Sequence, residues 1–155
     1  PDSLAMALSV LLSECDAPAL ESISRRWRLA NVERTLLQNV VQSLPRFDET
    51  LDRVAQIRFV RTDWWPVASR VARAIRGAAG QSVEPVVALE ALRGSLSPEQ
   101  MNPERLMTGE DLKALGLQPG PQYKDILTAL EDAQLAGDVT SRTEAEALVQ
   151  SLVKE

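Results

Sequence analysis

Histidine is missing from all 155 residues. With it go Ser-His triads, His-carboxylate metal sites and imidazole acid-base chemistry, and so most hydrolase mechanisms. Cysteine occurs once, at Cys15, which rules out an internal disulfide and any cysteine-based zinc site; the surrounding LSVLLSEC suggests a small buried apolar side chain there. Aromatic residues make up only 4% of the chain. Leu, Ala, Val, Arg and Glu dominate instead, a balance that favours packed helices over sheet. No run approaches the roughly 18 apolar residues that a membrane span requires. The longest apolar stretch, LAMALSVLL, is too short and is followed by acids. The expectation is a soluble, cytoplasmic chain with no membrane partner. It starts at Pro1 rather than Met, within a helical pattern, as a piece of a longer protein would.

The net charge of -5 conceals an asymmetry. Between Ser22 and Gly80 the bases outnumber the acids, and every base is arginine. The remainder is acidic, which argues against a simple cationic coat around nucleic acid.

Apolar residues recur at helical spacing along most of the chain. Asp2 or Ser3 serves as a cap for a first helix through Ser13, and a second starts near Pro18. Asn31 is suited to cap a third, which carries Val32, Leu36, Leu37, Val40 and Val41 up to Pro45. A fourth is expected from about Phe47 to Val60. Asp63 is suited to cap a fifth with Val67, Val71 and Ile75 on one face, ended by Gly77 or Gly80. Ser82 opens a sixth, closed by Gly94. Ser97-Pro98 and Asn102-Pro103 then fit short single-turn helices. Beyond them lie helices from Thr108 to Leu115 and from Pro121 to Gly137, and one opened by the capping box Ser141 to Glu144. This predicts an all-α array of about eight to ten helices, with a helical body at 1–96 and a helical tail at 97–155 that resembles a helix-hairpin-helix.

The tail contains GLQPGPQ, from Gly116 to Gln122. Gly116 stands where a left-handed residue ends a helix, and Pro119-Gly120 match the centre of a type II turn. Pro121 is preset for the first turn of the next helix, which leaves Gly120, without a side chain, at the capping position. The amides of Gln122 and Tyr123 would then face outward, with Lys124 adding positive charge, as a phosphate-binding helix start requires. A plain connector that fixes the angle between two helices is the other reading.

The run from Leu106 to Val149 resembles the C-terminal part of the tRNA nucleotidyltransferase family, which includes CCA-adding enzymes and bacterial poly(A) polymerases. The similarity rests on Thr108-Gly109, Asp111-Leu112, Leu115-Gly116, Pro119-Gly120-Pro121, Ile126-Leu127, Ala129-Leu130, Ala133-Gln134-Leu135 and Gly137. RWRLANVERTLL, from Arg26 to Leu37, resembles the family's body segment. The resemblance implies a parent with a catalytic head, which binds Mg and nucleoside triphosphate through paired aspartates, and a neck that selects the nucleotide. Helical body and tail regions would hold the RNA. The head's glycine-rich strand and Asp-x-Asp pair, and the neck's Asp and Arg pair, are absent from these 155 residues. The expectation is therefore no catalytic residue, no metal site and no cofactor in this region. Its partners would be tRNA or another RNA and the family's N-terminal head, with a homodimer also open. The choice among addition of CCA, of A alone or of a poly(A) tail would reside in that head and neck.

The residues proposed to contact RNA are Arg25, Arg26 and Arg28 around Trp27, Arg70, Arg73 and Arg76 on one helix face, and the hairpin set Gly120, Gln122, Tyr123 and Lys124. Each has a plainer alternative: a solvated helix end for the first arginines, an ordinary exposed face for the second. Trp64-Trp65 fits a core anchor better than a stacking platform. Glu110-Asp111 and Glu131-Asp132 are poor metal ligands, because adjacent helical side chains diverge by about 100 degrees. A helical protein-interaction or dimerisation module is the rival to the RNA reading.

Overall fold

The computed structural model describes residues 2–153, with the side chains of Asp2 and Ser3 left out, so the expected capping by those two residues lies outside the described set. The described residues form ten α-helices, one 3-10 turn and no strand, an all-α protein as the composition predicts. They group into two compact units. One comprises the chain up to Leu51 together with Arg58–Ser95; the other comprises Asp52–Ile57 together with the chain from Leu96 onward.

The first unit contains α1 (Asp2–Leu11), α2 (Ala17–Arg26) and α3 (Asn31–Ser43), and a 3-10 turn at Leu44–Phe47 where Pro45 halts α3. The helix α4 (Arg53–Val60) follows, with only its last residues in this unit. Then come α5 (Trp65–Ala78) and α6 (Glu84–Ser95). Helix α1 packs on α3 and α5, α2 on α3, and α5 on α6. Leu12, Leu20, Leu37 and Val41 are buried together, with Cys15, Ile23 and Leu29 half-buried against them. Each full burial of a leucine contributes about 1.5–3 kcal/mol. A second focus is aromatic: the Phe59 ring lies 5.1 Å from Phe47 and 5.2 Å from Trp65, both edge-on, as ring quadrupoles prefer.

Several helix starts differ from the sequence expectation, each for a local reason. Helix α2 is not among them: it starts next to Pro18 as expected, and Asp16 caps it by accepting from the Ala19 N–H at 2.9 Å. Asn31 is the first helical residue of α3 rather than its cap. Ala30 holds the cap position, and the Glu33 carboxylate accepts from its N–H at 2.9 Å. The fourth helix starts at Arg53, not Phe47, because the 3-10 turn occupies Leu44–Phe47 and Asp52 accepts from the Ala55 N–H at 2.8 Å. Trp64, not Asp63, precedes α5.

The second unit contains α7 (Pro98–Met101), α8 (Gly109–Ala114), α9 (Gln122–Ala136) and α10 (Arg142–Leu152). Helix α8 packs on α9, and α9 on α10, around buried Met107, Leu112, Ile126, Leu130, Ala145 and Val149. Ser97 and Gln100 form the reciprocal cap of the single-turn α7. No helix follows Asn102-Pro103, where one short turn was expected. Ser141 and Glu144 cap α10 as their spacing predicts. No helix among the described residues is long and apolar enough to cross a membrane.

Candidate functional site

Helices α2, α5, α8 and α9 end in the same way. A left-handed residue one place beyond the last half-turn lets the following N–H reach back to the helix, the Schellman arrangement. At α5, α8 and α9 that residue is glycine: Gly80 at φ 66, Gly116 at φ 86 and Gly137 at φ 89. At α2 it is Arg28 at φ 55, the one non-glycine with positive φ among the described residues. The Arg28 N–H donates to the Arg25 carbonyl at 3.1 Å, and the Leu29 N–H to the Ser24 carbonyl at 3.0 Å. A side chain in this conformation costs on the order of 1–2 kcal/mol, which cationic attraction to the helix C-terminus offsets in part, by about 0.3–1 kcal/mol.

The turn packs half-buried Leu29 against the first unit's core and leaves Trp27 47% exposed. Arg26 and Arg28 are also exposed, and no described side chain pairs with either. Arg25 bonds Glu21 at 2.7 Å, but its side chain is 75% exposed and the pair is weak in solvent. The end of α2 therefore presents two uncommitted guanidinium groups on either side of an open indole.

The three arginines of α5 do not form the expected stripe. Arg70 is exposed and unpaired among the described residues. Arg73 is paired with Glu90 of α6. Arg76 is only 8% exposed; it bonds Asp48 of the 3-10 turn and donates to the Ser82 carbonyl at 2.8 Å. Arg76 ties three segments together and is a structural residue, because its guanidinium is committed to Asp48 and to the Ser82 carbonyl. Trp65 is a core anchor, as expected, while Trp64 is half-buried with its ring 5.7 Å from Phe59.

The hairpin of the second unit engages several of its own polar groups. Gly116 ends α8 as predicted, with the Leu117 N–H on the Leu112 carbonyl at 3.2 Å. Gly120 does not take the positive φ of a type II turn, and Pro121, not Gly120, holds the cap position of α9. The Tyr123 N–H donates to the Gly120 carbonyl at 3.0 Å, so it does not face outward for an anion. The Gln122 side chain folds back over Gly120, its Oε1 2.6 Å from where a β-carbon would stand, and its Nε2 donates to the Gln118 carbonyl at 3.0 Å. The Tyr123 ring packs against Gly109, and its hydroxyl donates to the Leu117 carbonyl at 2.9 Å. The prolines and glycines thus form a tight connector in which the Tyr123 N–H, the Tyr123 hydroxyl and the Gln122 side-chain amide find partners, while the Gln122 N–H has none among the described residues.

Of the hairpin set, Lys124 remains exposed and unpaired. It lines a cleft of about 730 Å³ together with Gly120, Tyr123 and Arg105. Arg105, also exposed and unpaired, was not singled out from the sequence. Its position in the non-helical segment between Pro103 and Thr108 was the available signal, since such segments position side chains without helical periodicity.

Asp111 and Glu144 of this unit are structural. Donation from the Thr108 hydroxyl at 2.7 Å, from the Arg142 guanidinium and from the Thr108 N–H at 2.8 Å holds the Asp111 carboxyl at about 2. The carboxyl of Glu144 is lowered likewise by the backbone N–H and hydroxyl of Thr140 and by Ser141. No group of three or more His, Cys, Asp or Glu positioned to hold a metal ion occurs among the described residues.

No protein-family model matches the chain, and no solved structure matches it. Among curated proteins it is similar to the A-adding tRNA nucleotidyltransferase of Deinococcus radiodurans, at 35% identity over 71 residues. The similarity is partial. It covers 45% of this chain and 16% of that enzyme's length.

Proposed function

We propose that this chain is an RNA-holding helical region of a protein related to tRNA nucleotidyltransferases and poly(A) polymerases, and that the end of α2 is its main contact with the RNA backbone. The observation that carries this reading is Arg28: a residue held in a conformation that favours glycine, presenting an unpaired guanidinium beside exposed Trp27 and unpaired Arg26. Arginine binds phosphate with a planar fork of donors, and an indole stacks on unpaired bases. Similarity to an enzyme that adds A to tRNA supports tRNA as the RNA class. Catalysis, with any Mg and nucleoside triphosphate, would belong to a head that these residues do not encode. Arg25 and Arg70 add charge within the same unit; Lys124 and Arg105 offer a secondary phosphate contact in the second. The role is positional, through charge and shape, with little reading of bases.

A second reading rests on α1, where Leu4 is 52% exposed and Leu11 72% exposed. Seven residues apart on one face, they suit an apolar partner such as a catalytic head or a second copy.

Binding of the chain to a tRNA, followed by fluorescence anisotropy, separates the two. RNA holding predicts that Arg26→Ala with Arg28→Ala weakens affinity at least tenfold while Leu11→Ser does not. The reverse pattern, or no tRNA binding at all, favours the partner-docking role.

A further inference from the structure

The first unit has a groove of about 460 Å³ whose walls differ in chemistry. On α3, Asn31, Thr35 and Asn39 recur every fourth residue, so their neutral polar heads form a column along the groove. Val32 and Leu36 of α3 also line it, as do Asp63 and Trp64 from just before α5. Thr35 and Asn39 engage no described partner through their side chains, and Asn31 uses its Oδ1 to accept from Arg34 at 2.9 Å, leaving its amide donors free.

We infer that this groove receives one unpaired RNA base carrying an exocyclic amine, stacked on Trp64, with Asp63 accepting from the amine and the α3 amides reading the base edge. The inference rests on the RNA reading above. Two observations select a base over other occupants. Asp63 lines the groove, and its negative charge excludes a phosphate, whereas a carboxylate is a good acceptor for a base amine. The groove also starts only three residues after Arg28, a chain length of at most about 10 Å, so a phosphate held at the end of α2 has its neighbouring nucleotide within reach of Asn31 at the groove's start. An aromatic wall, uncharged donors and a single carboxylate beside free arginines match a nucleotide with its phosphate outside and its base inside.

The test compares labelled single-stranded oligo(A) and oligo(U) binding to the 155-residue chain and its variants, with thermal unfolding as a control for folding. The expected results are tighter binding of oligo(A), a loss of about fivefold or more on Trp64→Ala, and a smaller loss on Asn39→Ala, which removes no described hydrogen bond. Asp63→Ala should bring oligo(A) to the oligo(U) level. If Trp64→Ala and Asn39→Ala leave oligo(A) binding unchanged while Arg26→Ala with Arg28→Ala weakens it, the groove inference fails and the RNA reading stands. If the unaltered chain binds neither oligomer nor tRNA, the RNA reading fails and takes this inference with it. Self-association that Trp64→Ala abolishes would make the groove a contact between copies and overturn the inference.

Discussion

The Leu29 N–H donates to the Ser24 carbonyl at 3.0 Å across Arg28, which turns left-handed to permit it. The bond seats Leu29 against the core and fixes Trp27 and Arg28 on the surface. Stability and exposure of charge are thus set by one residue, and they can be separated by changing it.

Arg28→Gly should stabilise the chain by about 0.5–1 kcal/mol, because relief of the left-handed strain exceeds the lost attraction to the helix end. The same variant should bind tRNA more weakly. Thermal unfolding and anisotropy on one sample check both. A variant that is less stable would show that the arginine side chain, not the backbone geometry, holds this turn.

Arg76 and Arg70 lie on the same helix but should behave oppositely. Arg76→Ala leaves the Ser82 carbonyl without its donor and opens space in a buried site, a loss of about 1–3 kcal/mol. Arg70→Ala should change stability by less than about 0.5 kcal/mol. In the folded protein, only Arg70→Ala should affect RNA affinity. Urea denaturation followed by circular dichroism measures the first difference.

Asp111 carries a pH dependence with a definite sign. Its folded carboxyl titrates at about 2, below the usual 3.8. Its contribution is therefore fully present above pH 3.8 and is lost as pH falls through the window down to about 2. Chemical denaturation of the chain in steps between pH 5 and 2 should show that loss, and Asp111→Asn should flatten it. An unchanged slope in the variant would place the acid sensitivity elsewhere, with Glu144 the next residue to replace.

Much of the fold was legible because helices announce themselves by period. Val67 and Val71 fell on the buried face of α5, and Ser141 with Glu144 marked the start of α10. Capping was less legible, since several residues compete for one set of amides. Asn31 has the right chemistry for a cap, yet Glu33 reaches the amide of Ala30 and shifts the start by one position. The candidate site was legible only in part. Arg76 is paired with Asp48, 28 residues away, and local spacing carries no trace of such a pairing. Nor does sequence reveal that Gln122 lies over Gly120: the same residue type could equally have pointed to solvent. Arg28 is the converse case, because a left-handed turn is expected where glycine is present and passes unnoticed where it is not.

The most direct measurement is the salt dependence of tRNA affinity for the chain and for the Arg26→Ala, Arg28→Ala double variant. Guanidinium groups that neutralise phosphates release counterions, so log K should fall steeply with log salt concentration, and the double variant should be shallower by about 2 in slope. A flat dependence for the unaltered chain, or identical slopes for the two proteins, would contradict the assignment of the α2 end to RNA.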